Sequence, residues 1–403
     1  MKKVYIVDGK RTPIGSFLGG LKSVGAADLG AHVVKNLLAV NNIPAEAIDE
    51  VIVGNVLSAG AGQGVARQVA LKAGIPHTVP AYAVNMVCGS GMKAVINAYA
   101  AIQAGAGLII AGGAESMSNA PYLLTAKSRQ GIKMGEFKMV DHMIFDALTD
   151  AYSGVHMGIT AENVAAKHGI TREEQDAFAY GSQQKAIAAV DGGAFKDEII
   201  PLEITEGKNT FVFENDEYPN RGTSPEKLAK LRPAFKTDGT GTVTAGNASG
   251  LNDGASFVIV AGEEAVAKYK LSPLAELIAT GQGGVDPQLM GLGPVPAIKN
   301  ALAAAGLKIG DIDYLELNEA FAAQSLGVVK ELSDAFGVKP ADITAKCNIN
   351  GGAIALGHPV GASGNRILVT LLHILKNKKA GYGLASLCIG GGMGTAVIVK
   401  NLK

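Results

Sequence analysis

The sequence predicts an α/β protein of two similar halves with a charged insertion between them. Three observations predict it. Short β-branched runs alternate with alanine-rich stretches of helical spacing, the pattern of sheets covered by helices on both faces. Pieces of the first part of the chain recur near its end at a common offset. Between Asn119 and Thr244 charges collect and strand signals weaken.

Val4 to Val7 reads as a short buried strand, and Leu29, Val33, Leu37 and Leu38 give Asp28 to Val40 helical spacing before a turn at Pro44. Val51 to Val53 is a second strand. Met92, Val95, Ile96 and Tyr99 recur at helical spacing, Gly105 offers a C-cap, and Leu108 to Ala111 reads as another strand. The uncharged stretch Ala94 to Ala114 is long enough to cross a bilayer. Asn97, Gln103, Gly105, Gly107, Gly112 and Gly113 make it instead a buried helix, a turn and a strand. Val34-Lys35-Asn36 aligns with Ile298-Lys299-Asn300 and, at the same offset, Ile48-Asp49 with Ile312-Asp313; with a small change of register, Val87 through Gly91 matches Val360 through Gly364. Each half alone would bury one face, so a duplicated fold packs the two together. In the insertion, Arg172 to Val190 is the clearest helix. Its Lys/Arg-rich end, from Lys208 through Arg221 and Lys227 to Lys236, reads either as a site for a phosphorylated ligand or as solvated surface.

The 403 residues leave room for two or three domains, and 48% apolar residues can fill their cores. The 36 basic and 36 acidic side chains cancel, which argues against a protein that coats nucleic acid or an anionic membrane. Three cysteines cannot make a disulfide framework, and the N-terminus lacks the apolar core of a signal peptide. A reducing, cytoplasmic setting is the expectation. No CxxC or HExxH occurs and the seven histidines are scattered, so no metal site is expected.

Gly89-Ser90-Gly91-Met92-Lys93-Ala94 formally fits a dinucleotide-binding fingerprint, with Glu115 near the spacing of a ribose-binding acid. Cys88 in front of it, the Gly-Gly pair before Glu115 and the complete βα unit upstream speak against that reading. Cys88 is the sharper feature. A thiol at a strand-to-helix turn meets free N–H groups and a helix dipole, which favour the thiolate. The following Gly-Ser-Gly lets a carbonyl approach and leaves amides for an oxyanion. His358 lies on the Gly/Pro-bounded loop from Asn350 to Pro359, ahead of a helix expected from Arg366, and as a base beside Cys88 would complete a Cys–His pair. Cys388 ends the apolar run Leu384 to Leu387 and leads into Ile389-Gly390-Gly391-Gly392. Asn318-Glu319-Ala320-Phe321 follows the strand Tyr314 to Leu317, while Cys347 has surroundings of a structural cysteine.

Together these segments resemble the thiolases, and among them the biosynthetic acetyl-CoA acetyltransferases. Val87 to Gly91, Asn318 to Phe321, Gly351 to Pro359 and Cys388 to Gly392 carry the resemblance, in that order. Arg11 to Gly15, His156-Met157-Gly158 and Thr244 to Asp253 extend it essentially end to end. It implies a thiolase fold, two βαβαβαββ halves in five layers. Residues 1–118 with 245–270 would form the first half, 119–244 an inserted loop domain for CoA binding and oligomer contacts, and 271–403 the second half. It implies reversible condensation of two acetyl-CoA to acetoacetyl-CoA and CoA, in a homotetramer, with no metal or organic cofactor and no nucleic-acid or membrane partner. Cys88 would be the acylated nucleophile, His358 its base and an oxyanion donor, and Cys388 the second proton carrier. Asn318 would hold an oxyanion-hole water, and the N–H groups of Cys88 and Gly390 would form the other hole.

The resemblance also gives Leu148, His156, Met157, Phe235, Ala245, Ser249 and Phe321 to the pantetheine tunnel or acyl pocket, with Met157 and Met290 closing it for short acyl groups. Departures fall at the nucleotide end: asparagine stands before Arg221 where the family often has arginine, and Lys227 replaces a frequent serine. Arg221 or Lys227 is the expected phosphate contact. The rival readings are a 3-ketoacyl-CoA thiolase of broader chain length, a non-catalytic acyl-CoA or lipid-binding relative, and more remotely a carrier-protein condensing enzyme or a dinucleotide-dependent oxidoreductase.

Overall fold

The computed structural model describes residues 2–403. The first half runs β1 (Val4–Arg11), α1 (Ala26–Val40), β2 (Glu50–Gly54), α2 (Val65–Lys72), β3 (Ala81–Val84), α3 (Ser90–Ala104) and β4 (Leu108–Ser116). The chain then leaves the sheet for an insertion holding α4 (Met157–His168) and α5 (Arg172–Asp191), and returns as β5 (Asn252–Gly262). The second half runs β6 (Ala275–Gly284), α6 (Pro294–Ala305), β7 (Tyr314–Leu317), α7 (Ala322–Phe336), α8 (Val360–Lys378), β8 (Tyr382–Ile389) and β9 (Met393–Asn401).

The strands follow one order, β7-β8-β9-β6-β1-β5-β4-β2-β3, joined where Tyr5 and Ile6 of β1 meet Glu276 and Ala275 of β6. From that seam both directions repeat one scheme. β1-β5-β4 pair antiparallel and β4-β2-β3 parallel; β6-β9-β8 pair antiparallel and β8-β7 parallel. The third parallel strand of the second half has shrunk to a single bridge, Leu315 with Cys347. The duplication legible in the sequence is therefore a duplication of topology.

Five layers follow from where the apolar residues go. Leu29, Val33 and Leu37 of α1 and Val69 of α2 pack on Ile110 and Phe257, outside the first sheet. Met92, Val95 and Ile102 of α3 and Ile367, Leu371 and Leu375 of α8 share one core with Ile52 and Ile109 on one side and Leu387 and Val397 on the other. Ile298 of α6 and Val328 of α7 cover Leu384 and Ile398 on the far face. Every residue of β4 and β5 is buried, as strands sandwiched by helices must be. The uncharged stretch thus divides into α3, a Gly105 cap at φ 121° and β4, and among the described residues no helix is long and apolar enough to cross a membrane.

Two local expectations change. α8 begins at Val360 rather than Arg366, because Gly361, Ala362, Ser363 and Gly364 are buried against the first half, where packing overrides weak helix propensity. The insertion also carries two hairpins, Tyr122–Leu124 with Met139–Asp141 and Leu202–Glu206 with Asn209–Phe213. α5 starts at a capping box in which Thr171 and Glu174 satisfy each other's backbone N–H.

A buried ion-pair cluster fastens the insertion to β1. Arg11 donates to Glu198 at 2.7 Å and bidentately to Asp216 at 2.6 and 2.9 Å, and Asp216 also accepts from the Ile14 N–H. Removing one partner of such a cluster strands the others. Arg11→Met is expected to cost about 3–5 kcal/mol in chemical denaturation, because two buried carboxylates lose their counter-charge. A change of under ~1 kcal/mol would mean the cluster is bypassed by other contacts.

Candidate active site

Cys88 lies at the strand-to-helix turn between β3 and α3, after a positive-φ residue that the sequence reading did not foresee. Val87 sits at φ 45°, a region β-branched residues avoid, so the elbow is held under strain. Ser90 fastens it: its hydroxyl accepts from Met86 N–H at 2.9 Å and donates to the Val87 carbonyl at 2.6 Å. The Gly390 N–H and the Cys88 N–H itself point at the sulfur. They do not make it a resting thiolate. Burial pushes the thiol up to about 11, against the pull of those two amides. This corrects the expectation of a depressed Cys88 pKa: the apolar wall outweighs the helix terminus.

His358 precedes α8. Its N–H donates to Asn252 of β5 at 2.8 Å, and its Nδ1 lies 2.6 Å from Ser363 Oγ. Ser363 spends its only proton on the Pro359 carbonyl at 2.9 Å, so it must accept from Nδ1–H. The tautomer is thereby fixed, and Nε2 carries a free lone pair with no partner among the described residues. Burial, helped by Arg366, lowers the imidazole to about 4. At neutral pH the pair is therefore a thiol beside a neutral base.

Cys388 ends β8, is 1% exposed, and has its thiol pushed up by burial and then by Cys88. Asn318, just after β7, donates its N–H to the Ser386 carbonyl at 3.0 Å, and both polar atoms of its buried side chain lack partners among the described residues.

Cys88, His358, Cys388 and Gly390 line one cavity of about 300 Å³. Leu148, His156, Met157 and Phe235 form its insertion side; Ala245, Ser249, Met290 and Phe321 complete it. His156 stacks on Phe235 with centroids 4.6 Å apart, and Phe321 meets Phe235 edge-on at 6.2 Å. Asn318 is not a lining residue, although its neighbours Ala320 and Phe321 are. Lys227 lines an adjoining cavity of about 420 Å³ that shares Tyr218 and Ala245 with the first. Arg221 is outside both, exposed and paired with Asp191 at 2.6 Å. Among the described residues no cluster of His, Cys, Asp or Glu could hold a metal ion.

Residues 4–264 match the family model for the thiolase N-terminal domain, and residues 271–401 that for the thiolase C-terminal domain. The chain belongs to the thiolase family. It is 53% identical over 404 residues to acetyl-CoA acetyltransferase of Escherichia coli (strain K12), with 100% of each chain covered. It is 52% identical over 402 residues to acetyl-CoA acetyltransferase of Cupriavidus necator, covering 99% of this chain and 100% of that one. Among solved structures, Bacillus anthracis acetyl-CoA acetyltransferase gives a TM-score of 0.94 at 41% identity, and human mitochondrial 3-ketoacyl-CoA thiolase 0.93 at 43%. Each covers 100% of this chain and 99% of the other.

In this thiolase the sequence reading missed Tyr218, Ile144 and Leu251 in the cavity wall. Tyr218 had a signal. A Cβ on Gly250 would lie 2.4 Å from its ring, and one on Gly158 would lie 2.2 Å from Phe235, so these two glycines each mark a seated aromatic ring.

Proposed function

We propose that this chain is an acyltransferase, an acetyl-CoA C-acetyltransferase that condenses two acetyl-CoA to acetoacetyl-CoA and CoA, reversibly, through an acetyl-cysteine. The observation that carries it is two thiols and a tautomer-fixed neutral imidazole on one apolar cavity. His358 Nε2 takes the Cys88 proton as the sulfur attacks the thioester carbonyl; the bond between the carbonyl carbon and the CoA sulfur breaks, and CoA leaves as the thiol with that proton. His358, neutral again, takes the Cys388 proton, and the Cys388 thiolate so formed removes a Cα proton from the second acetyl-CoA. The resulting carbanion attacks the acetyl-cysteine, a carbon–carbon bond forms, and the Cys88–carbon bond breaks. Cys88 leaves as a thiolate and takes the proton held by His358, while Cys388 keeps the Cα proton, so two thiols and a neutral imidazole are restored. Because His358 starts neutral with an empty Nε2, it becomes an oxyanion donor only after accepting a cysteine proton.

The N–H groups of Cys88 and Gly390 both point at the Cys88 sulfur, which supports them as donors of the second oxyanion hole. Asn318, with its free amide, would hold a water for the first. CoA is carrier and substrate, so the reaction calls for no other organic group or metal. The cavity shared through Tyr218 and Ala245 supports Lys227 as the phosphate contact over Arg221, whose charge Asp191 already balances. The same reading assigns residues 1–118 with 245–270, 119–244 and 271–403 as first half, loop domain and second half, and includes a cytoplasmic homotetramer.

Met157 and Met290, buried in the wall of this cavity, support a short acyl chain over the broader 3-ketoacyl-CoA reading. CoA-dependent cleavage of acetoacetyl-CoA against 3-ketodecanoyl-CoA tests this. A kcat/KM ratio of at least ~100 in favour of the short substrate is expected, since excluding a long chain costs far more than the missing methylenes of an ill-filled pocket. Equal rates would assign the broad-range reaction instead.

A further inference from the structure

The acid that the sequence singled out at the spacing of a ribose-binding residue has another place in the molecule. Glu115, near the end of β4, is 0% exposed. We propose that Glu115 is a positioning residue, whose carboxylate seats the His358-bearing turn of the second half against the first half, beside Cys88. The proposal rests on the acyl-transfer reading of this cavity and extends it to a group that touches no substrate.

The seat has two parts. One is a bare floor: a Cβ on Gly113, Gly54 or Gly91 would come within 2.0, 2.8 or 2.9 Å of the Gly361 carbonyl. Three glycines of the first half thus let the first turn of α8 come into backbone contact. The other part is Glu115 itself. Its Oε2 accepts from Gly361 N–H at 2.9 Å and Val56 N–H at 3.0 Å. Its Oε1 accepts from Leu57 N–H at 3.1 Å and Asn55 Nδ2 at 3.0 Å. One carboxylate therefore joins β4, the segment after β2 and the start of α8, three residues beyond His358.

All four partners are donors. An ionised carboxylate offers an acceptor site to each, whereas a carboxylic acid sets its O–H against an N–H and loses at least one contact. Burial raises this carboxyl to about 7, opposed by the Leu57, Val56 and Gly361 amides and reinforced by Asp253 of β5. Asp253 and Cys88 are the titratable groups facing it; β2 and α8 contribute amides only. The seat is complete above neutrality and loosens below it. Stability runs the other way. A carboxyl whose folded pKa is raised stabilises the fold below its ordinary range, and that contribution is lost as pH rises towards 7.

The test compares wild type with Glu115→Gln over about pH 5.5 to 8.5, by acetoacetyl-CoA cleavage and by substrate-free alkylation of Cys88 with iodoacetamide. Glutamine keeps the size but opposes two donors with its NH₂, as the protonated acid does. Wild type is expected to lose kcat below about pH 7 with KM nearly constant. Glu115→Gln is expected to sit roughly 10- to 100-fold lower across the range with no acid limb, the loss typical of a misplaced catalytic group. Glu115→Asp, which keeps the charge, should recover the limb. Alkylation of Cys88 should break in slope near neutrality in wild type and not in Glu115→Gln. A glutamine variant with wild-type kcat, or with the acid limb intact, overturns the proposal. If that variant does not fold, a wild-type profile flat through neutrality overturns it, and a limb kept in Glu115→Asp supports it. Failure to cleave acetoacetyl-CoA at all would count against the substrate reading, while the alkylation break still decides the role of Glu115.

Discussion

Cys88→Ala is expected to abolish both cleavage and synthesis of acetoacetyl-CoA, whereas Cys388→Ala should abolish synthesis yet leave the enzyme able to acetylate itself. The two sulfurs share a cavity but differ in setting. Cys88 lies under the Gly390 and Cys88 amides and retains part of its surface, while Cys388 is 1% exposed with no such pair of donors. Losing the nucleophile removes every covalent step, a fall in kcat of at least ~10⁴. Losing the second thiol removes only proton transfer at carbon. With acetyl-CoA alone, Cys388→Ala should gain one acetyl group on Cys88, visible by intact mass, and exchange free CoA into the thioester. Its condensation rate should drop by ~10²–10⁴. Acetylation of Cys88→Ala at another residue, or condensation by Cys388→Ala at the wild-type rate, would refute the division of labour.

His358→Gln is expected to lower kcat by ~10²–10⁴, the usual contribution of a general base. The resting thiol at about 11 makes the dependence strong, because without a proton acceptor almost no Cys88 is nucleophilic at neutral pH. Raising the pH should partly rescue the variant, which the wild type does not need. The imidazole also marks the acid side of the stability curve. Its folded pKa falls from 6.5 to about 4, so between those values the unfolded chain binds more protons and stability rises with pH. His358→Gln should flatten that rise in thermal denaturation followed from acid to neutral. An unchanged slope would mean that His358 is accessible to protons in the folded state.

The chemistry was legible where it depends on local backbone. Cys88, His358 and Cys388 each sit at a strand end or a Gly/Pro-bounded turn, and those signals are contiguous in sequence. The two halves were legible through periodicity, and their five layers through the resemblance. What was not legible arises between distant segments. The rise of the Cys88 pKa comes from an apolar wall assembled from the insertion and both halves. The start of α8 at Val360 depends on glycines of the other half. Glu115 carried a familiar spacing, but its partners Val56 and Gly361 are remote in sequence, so the spacing pointed to the wrong chemistry. Arg221 reads as a free cation until Asp191, on α5, is seen beside it.

The position of β5 has a consequence for how the chain is made. It lies between β1 and β4, yet the insertion separates it from β4 in sequence. A nascent chain emerging from the ribosome cannot close its first sheet until Gly262 is available. Until then β1 and β4 present unpaired edges, the template on which chains join wrongly. Such late pairing of distant segments slows folding and lengthens exposure to aggregation. Heterologous production should therefore improve at reduced temperature or with added holdase chaperones, and a circular permutant that places β5 beside β1 in the chain should refold faster than the native order.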